Sequence, residues 1–351
     1  MVRNPRLSPK NLSDMALEFK KTSIIGGGAW GTALALTASY TGGEVVLWTY
    51  REEEAAIIRE TRHSLCRING ARPLPENVLV TSKWEDVAGS DLVIVVVPSV
   101  AMRSVAQSLS AVGLADNAVV VSCTKGIEKD TNLLMTEILE ANLKCPVGAL
   151  SGPNHAEDIV LELPSLTLVG FADIEIARAV QRRISTPFLR VYTTTDVVSM
   201  QIGGAIKNVF ALASGICAGL GLGDNARAAL ATRGLAEMTR MGMARGGKMD
   251  TFMGLSGMGD LVVTCYSEHS RNLTAGRLIA KGIAVEECQS RIGQVVEGIP
   301  NTLSTYQLAR KLGVRTPITD AMYEILYCAK PAKQALEELM RRDLREESLN
   351  D

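Results

Sequence analysis

Side chains that hold metals or form redox pairs are sparse in this chain. Its histidines are only His63, His155 and His269, and its seven cysteines (Cys66, Cys123, Cys145, Cys217, Cys265, Cys288, Cys328) include no CxxC pair. That spacing matches no zinc or disulfide framework and implies free thiols in a reducing cytoplasm. An excess of one charge is also missing. The 37 Lys and Arg balance 38 Asp and Glu, so no global field draws the chain to nucleic acid or to an anionic membrane. Residues 1–20 carry Arg3, Arg6 and Lys10 beside Asp14 and Glu18, with no apolar stretch for a signal-peptide core, and are expected to form a flexible extension. The longest uncharged run, residues 208–223, is shorter than a bilayer span and is interrupted by Gly215, Gly219 and Gly221. No membrane segment is expected from it.

What is present is a regular alternation of strand and helix signals. With 351 residues, 46% hydrophobic and 21% charged, the chain can bury a large core in two domains. Residues 22–25 read as a short strand, Gly26-Gly27-Gly28-Ala29-Trp30-Gly31 as a turn and residues 32–38 as a small-residue helix. Residues 44–48 read as a second strand, followed by a helix over 51–62. The runs 91–98 and 118–122 are continuous and β-branched, as strands buried on both faces are. Three further runs, 147–150, 165–169 and 189–192, extend the set. The pattern predicts an α/β architecture, a doubly wound parallel sheet over residues 21–194. Beyond it strand-like runs disappear and Ala, Gly, Leu and Met rise, predicting an all-helical domain over 195–351, with helices at 203–218, 225–242 and 302–312.

Gly26, Gly28 and Gly31 occupy the positions of GxGxxG between a strand and a helix. In that setting the first glycine makes the turn, the second lets backbone approach a pyrophosphate and the third packs helix on strand, which points to a dinucleotide. The cofactor is discriminated at the end of the second strand, where an acid usually meets the ribose hydroxyls of NAD. Here the tip reads Thr49-Tyr50-Arg51. A guanidinium there suits a 2′-phosphate and favours NADPH over NADH, although Glu52, Glu53 or Glu54 offers an alternative acid.

Candidate chemistry concentrates on a few polar residues in apolar surroundings. Lys207 is the only charged residue between Asp196 and Asp224. An ammonium there must meet an anion or titrate at lower pH, which suits a proton donor; a structural lysine that snorkels or pairs is the other reading. One turn back, Gly203 and Gly204 are expected to leave a bare face for a small ligand. Lys125 follows a buried strand at its carboxyl end, where open sheets bind ligands. Asp260, flanked by Gly259, either caps the next helix or pairs with Lys207. Ser270-Arg271-Asn272 opens a helix with a hydroxyl, a guanidinium, an amide and free N–H groups, a set that suits a phosphate, while an ordinary serine cap explains Ser270 as well. Glu297 alone reads as a solvated loop carboxylate.

Together, the segments Gly26 to Ala35, Lys125-Gly126, Ser151-Gly152-Pro153, Gly203-Gly204-Ala205-Ile206-Lys207-Asn208, Thr232-Arg233-Gly234-Leu235-Ala236-Glu237, Gly259-Asp260-Leu261, Ser270-Arg271-Asn272 and Val295-Val296-Glu297-Gly298 resemble bacterial-type NAD(P)-dependent glycerol-3-phosphate dehydrogenases. The resemblance implies a Rossmann domain and a helical domain, a homodimer, and reduction of dihydroxyacetone phosphate to sn-glycerol 3-phosphate for glycerophospholipid synthesis. It implies that Gly26, Gly28, Ala29, Trp30, Gly31, Tyr50, Arg51, Lys125, Ala156, Arg271, Val295 and Glu297 meet NADPH or NADH. Lys125, Gly152, Asn154, Lys207, Asp260, Ser270, Arg271 and Asn272 would surround the substrate, with Lys207 transferring the proton and Asp260 orienting it. Three positions depart from the family: serine is common where Ala29 and Asn154 stand, and Pro73 replaces a frequent tyrosine. A β-hydroxyacid dehydrogenase of similar architecture, or a dinucleotide sensor without chemistry, are the alternatives.

Overall fold

The computed structural model describes residues 17–65, 68–344 and 346–347. Most of the expected N-terminal extension, residues 1–16, lies outside the described residues, as does Cys66. Of residues 17–20, Phe19 is buried in the core and the Lys20 N–H donates to Asp91 at 2.7 Å. The six described cysteines are unpaired.

Eight strands form one sheet: β1 (Lys21–Ile25), β2 (Glu44–Trp48), β3 (Val78–Thr81), β4 (Leu92–Val95), β5 (Val119–Ser122), β6 (Val147–Ser151), β7 (Ser165–Gly170) and β8 (Leu189–Thr194). Their order is β3-β2-β1-β4-β5-β6-β7-β8. The first six pair in parallel, with Ile25 opposite both Trp48 and Val95. This is the Rossmann order, and its direction of winding reverses between β1 and β4, which opens a crevice at their carboxyl ends. The short β3, with Leu79 exposed, gave no readable sequence signal.

The expectation of a wholly parallel sheet is corrected at β7, which runs antiparallel to β6. After β6 the chain runs along the carboxyl edge, and only the one-turn helix Ala156–Val160 follows. The connection returns along the same edge of the sheet, so β7 enters antiparallel instead of crossing to the other end as a parallel connection does. The 11-residue helix Ile174–Ile184 then makes such a crossing, and β8 pairs parallel to β7.

Both sheet faces are dry. Ile24, Val45 and Leu47 pack with Leu34 and Leu36 of the helix Ala29–Tyr40 on one side. Ile25, Val93 and Val95 pack with Met102, Leu109 and Ile138 on the other. Neighbours along a strand thus feed opposite cores, so each strand must be apolar throughout.

After β8 the chain is helical. Asp196 accepts from the Ser199 N–H (3.1 Å) and so caps the 23-residue helix Val197–Gly219. That helix is apolar on every side because others surround it: Gly223–Ala244, Asp260–Tyr266, Arg271–Ala280 and Gly298–Leu312. By length and composition it could cross a bilayer, but 83% of its most apolar window is buried in the fold.

The glycine turn makes a prediction about packing. A methyl on Gly31 would lie 1.8 Å from the Gly26 carbonyl oxygen, whereas one on Gly28 would have nothing within 4 Å. Gly31→Ala is expected to cost about 3 kcal/mol or more of stability, and Gly28→Ala about 1 kcal/mol or less. Urea denaturation of the two variants measures the difference.

Candidate active site

The carboxyl edge of the sheet carries the glycine turn, open above Gly28. Gly26 leaves β1 with φ +130°, and its N–H donates to the Trp48 carbonyl at 2.8 Å. Gly28 is exposed and no side chain caps the helix that starts at Ala29. The first N–H groups of that helix are therefore left for an anion, and the open space over Gly28 fits a pyrophosphate. Ala29 and Trp30 stand half-buried on the first turn, Trp30 packed against the core. At the end of β2, Tyr50 is 81% exposed and Arg51 is exposed, with no ion pair to Arg51 among the described residues. The neighbouring acids are partly committed: Glu52 accepts from Ser82 (2.6 Å) and Arg59, and Glu54 from Thr49 (2.8 Å). Glu53 alone of the three remains as an exposed carboxylate beside Arg51.

At the end of β4 the reading of Glu297 as a solvated carboxylate is corrected. The N–H of Ser99 (3.1 Å) and its hydroxyl (2.8 Å) both donate to Glu297, and burial pushes the glutamate's pKa up. Arg271 Nη1 donates to the Val295 carbonyl at 3.0 Å. Arg271, Val295 and Glu297 thus come together on the helical side of the crevice. Ala156 is 7% exposed and its methyl belongs to the core, so only its backbone can face a ligand.

The lysines converge on one carboxylate. Lys125 Nζ donates to Asp260 Oδ2 (2.7 Å) and to the Gly152 carbonyl (3.0 Å). Lys207 Nζ donates to Asp260 Oδ1 and to Thr264 Oγ1, the latter at 2.7 Å. Asp260, 1% exposed, stands on the first turn of Asp260–Tyr266, so pairing rather than capping is its role. Burial pushes the Lys207 ammonium down to about 7, and the attraction of Asp260 opposes that shift.

The expected bare face beside Lys207 is corrected. A methyl on Gly204 would lie 2.9 Å from Ser151 Oγ and 3.2 Å from Lys125 Cγ, and one on Gly203 only 2.5 Å from the Ser256 carbonyl. The glycines admit the Lys125 stem and the π-helical turn Leu255–Gly259, not a ligand.

The third component is a helix start. Ser270 Oγ accepts from the Leu273 N–H at 3.2 Å, the serine cap that was one of its two readings, and Arg271 begins the helix Arg271–Ala280. Asn272 is tied into the scaffold: its Oδ1 accepts from the Gly298 N–H (2.8 Å) and its Nδ2 donates to Asn208 Oδ1 (3.0 Å). One amide hydrogen is left for a ligand. Asn154 bonds away from the lysines, to the Leu166 carbonyl (3.0 Å) and the Thr167 hydroxyl (2.9 Å).

The sequence profiles described as NAD-dependent glycerol-3-phosphate dehydrogenase N-terminus and C-terminus match residues 21–177 and 196–337. A glycerol-3-phosphate dehydrogenase [NAD(P)+] of Geobacter sulfurreducens is 43% identical over 332 residues, 93% of this chain and 99% of that protein. The one from Bacillus licheniformis is 44% identical, over 92% and 94% of the two chains. The crystal structure of the Coxiella burnetii glycerol-3-phosphate dehydrogenase superimposes with TM-score 0.88 at 33% identity, covering 92% of this chain and 99% of that one. The chain belongs to the NAD-dependent glycerol-3-phosphate dehydrogenase family.

Family membership turns attention to residues that sequence reading passed over. Thr264 holds Lys207 and lies one helical turn after Asp260, a spacing that could have revealed it. Asn301 donates to the carbonyls of Lys125 and Ala205, both at 3.1 Å, and so joins the two lysine-bearing segments; nothing in the local sequence marks it. Ser99 gave no signal either, because its partner Glu297 is 198 residues away.

The lysine cluster predicts a pH effect. In Asp260→Asn the ammonium of Lys207 loses its anion while burial and Lys125 still oppose its charge, so its pKa falls further below about 7. With Lys207 as the proton donor proposed below, turnover in the reducing direction is expected to drop about 100-fold at pH 7. The alkaline limb of its pH–rate profile should move to lower pH.

Proposed function

We infer that this chain is an NAD(P)-dependent sn-glycerol-3-phosphate dehydrogenase that reduces dihydroxyacetone phosphate to sn-glycerol 3-phosphate. The observation that carries the mechanism is the Lys125–Asp260–Lys207 cluster, with Asp260 and Lys207 buried and Lys125 reaching it from the carboxyl end of β5. A bound nicotinamide supplies the hydride. Lys207 polarises the C2 carbonyl oxygen and gives it a proton; in the oxidising direction the neutral amine takes the proton back. A pKa near 7 leaves both forms populated at neutral pH. Asp260 holds the ammonium in place, and Lys125 adds a second positive charge beside the reacting oxygen. Arg271, the second amide hydrogen of Asn272 and the free N–H groups of the helix start hold the phosphate, which fixes the carbonyl within reach of the cofactor.

NADPH is the favoured cofactor. The support is Arg51, which has no ion pair among the described residues at the end of β2, next to glutamates already bonded to Ser82, Arg59 and Thr49. A homodimer in the cytoplasm, serving glycerophospholipid synthesis, is what family resemblance supports.

The reaction is tested by the absorbance of reduced nicotinamide with dihydroxyacetone phosphate. Rapid oxidation of NADPH is expected; faster turnover of a non-phosphorylated 3-hydroxyacid in the reverse assay would overturn the substrate. Lys207→Ala should lower kcat by about 1,000-fold with NADPH affinity within twofold by fluorescence titration. Arg51→Ala should raise KM for NADPH about tenfold, the size of one charge-assisted hydrogen bond, and leave KM for NADH unchanged.

A further inference from the structure

Two of the chain's three histidines meet at the substrate side of the site. His155 ends the loop after β6, three residues beyond Gly152, whose carbonyl receives Lys125. His269 immediately precedes Ser270, the cap of the helix that opens with Arg271 and Asn272. The two rings are tilted against each other with centroids 6.1 Å apart. Their surroundings differ. His269 is exposed, while His155 is half-buried and its Nε2 is buried with no hydrogen-bond partner among the described residues.

A buried ring nitrogen without a partner is unfavourable, and an apolar side chain would fill the place at less cost. The groups that bear on it electrostatically are Lys207, Lys125 and Asp260, which bonds both lysines, and Glu157 on its own short helix. Burial, with the two lysines, holds the imidazole below the usual histidine range, so the ring is neutral at neutral pH and one nitrogen carries a hydrogen. The ring is thus within electrostatic reach of Lys207 and, through its contact with His269, beside the helix start at Arg271.

We propose that His155 is a further substrate-binding residue, its Nε2–H donating to the phosphate of the bound substrate beside Arg271. The assignment rests on the reading of the Arg271 helix start as the phosphate site. A phosphate dianion against the ring favours the imidazolium, so substrate binding raises the histidine's pKa and takes up a proton. KM for dihydroxyacetone phosphate therefore falls as pH decreases from 8 to 6. The lysine cluster carries the proton transfer, so kcat does not depend on this residue.

His155→Phe keeps the ring volume and removes the donor, and His155→Gln restores an N–H at similar reach. The phenylalanine variant is expected to raise KM for dihydroxyacetone phosphate about tenfold, with kcat and KM for NADPH within twofold, and to flatten the pH dependence of that KM. The glutamine variant should recover most of the affinity. An unchanged KM and pH profile in His155→Phe, or an equal rise in KM for NADPH, would overturn the proposal. The wild-type enzyme gives a second reading that needs no variant. Its few imidazole Cε1–H signals can be titrated by proton NMR with and without sn-glycerol 3-phosphate. A rise in the pKa of the low-titrating imidazole is expected, and no change in any histidine would count against the contact. Arg271→Ala separates the two readings: if it leaves KM for dihydroxyacetone phosphate unchanged, the phosphate site itself is misplaced. A normal loss with Arg271→Ala and a silent His155→Phe overturns the histidine alone.

Discussion

One carboxylate holds two ammonium groups in this fold, and the rest of the site is arranged around it. Asp260 binds Lys125 through one oxygen and Lys207 through the other, at a position where 1% of its surface is exposed. Removing one partner of a buried ion pair typically costs about 3–5 kcal/mol, because the survivor remains charged and desolvated. The three residues come from the carboxyl end of β5, the middle of the helix Val197–Gly219 and the start of Asp260–Tyr266. The cluster therefore pins the helical part of the chain to the active edge of the sheet.

The surrounding structure serves close approach. Gly203 and Gly204 let the turn at Ser256 and the Lys125 stem press against the long helix, which brings the two lysines to one carboxylate. Asn301 ties the backbone at Lys125 to that at Ala205. On the cofactor side, Ser99 after β4 binds Glu297 on the helical side, so the two walls of the crevice are joined at a second point. The reversal of winding between β1 and β4 opens the space between them. These contacts fix the two walls of the crevice relative to each other.

Burial also sets the protonation of the site. Lys207 is deep enough in apolar surroundings that desolvation outweighs the pull of Asp260. An exposed lysine at the same spacing would stay charged through neutral pH and be a poor reversible proton carrier. The apolar composition of the long helix thus sets the protonation of Lys207 as well as filling the core.

Much of this was legible in the sequence, for reasons that can be named. Strands buried on both faces must be continuously apolar, and the glycine turn needs three glycines at set positions, so β1, β2, β4 and β5 and the cradle at Gly26, Gly28 and Gly31 are written locally. Lys207 stood out because a lone charge in an apolar helix demands an explanation. What lay beyond reach depended on contacts between distant segments. The antiparallel β7 follows from a connection after Gly152 that returns along the same edge of the sheet, which no local pattern marks. The role of Glu297 depends on Ser99, 198 residues away. Asn154 in its loop and Asn272 at its helix start are both implied as substrate contacts, yet one bonds to β7 and the other to Asn208 and Gly298. Local sequence determined which elements form and which groups carry charge, because both follow from a residue and its near neighbours. Only the tertiary structure decided which charges meet, because burial and partnership belong to pairs that the chain brings together when it packs.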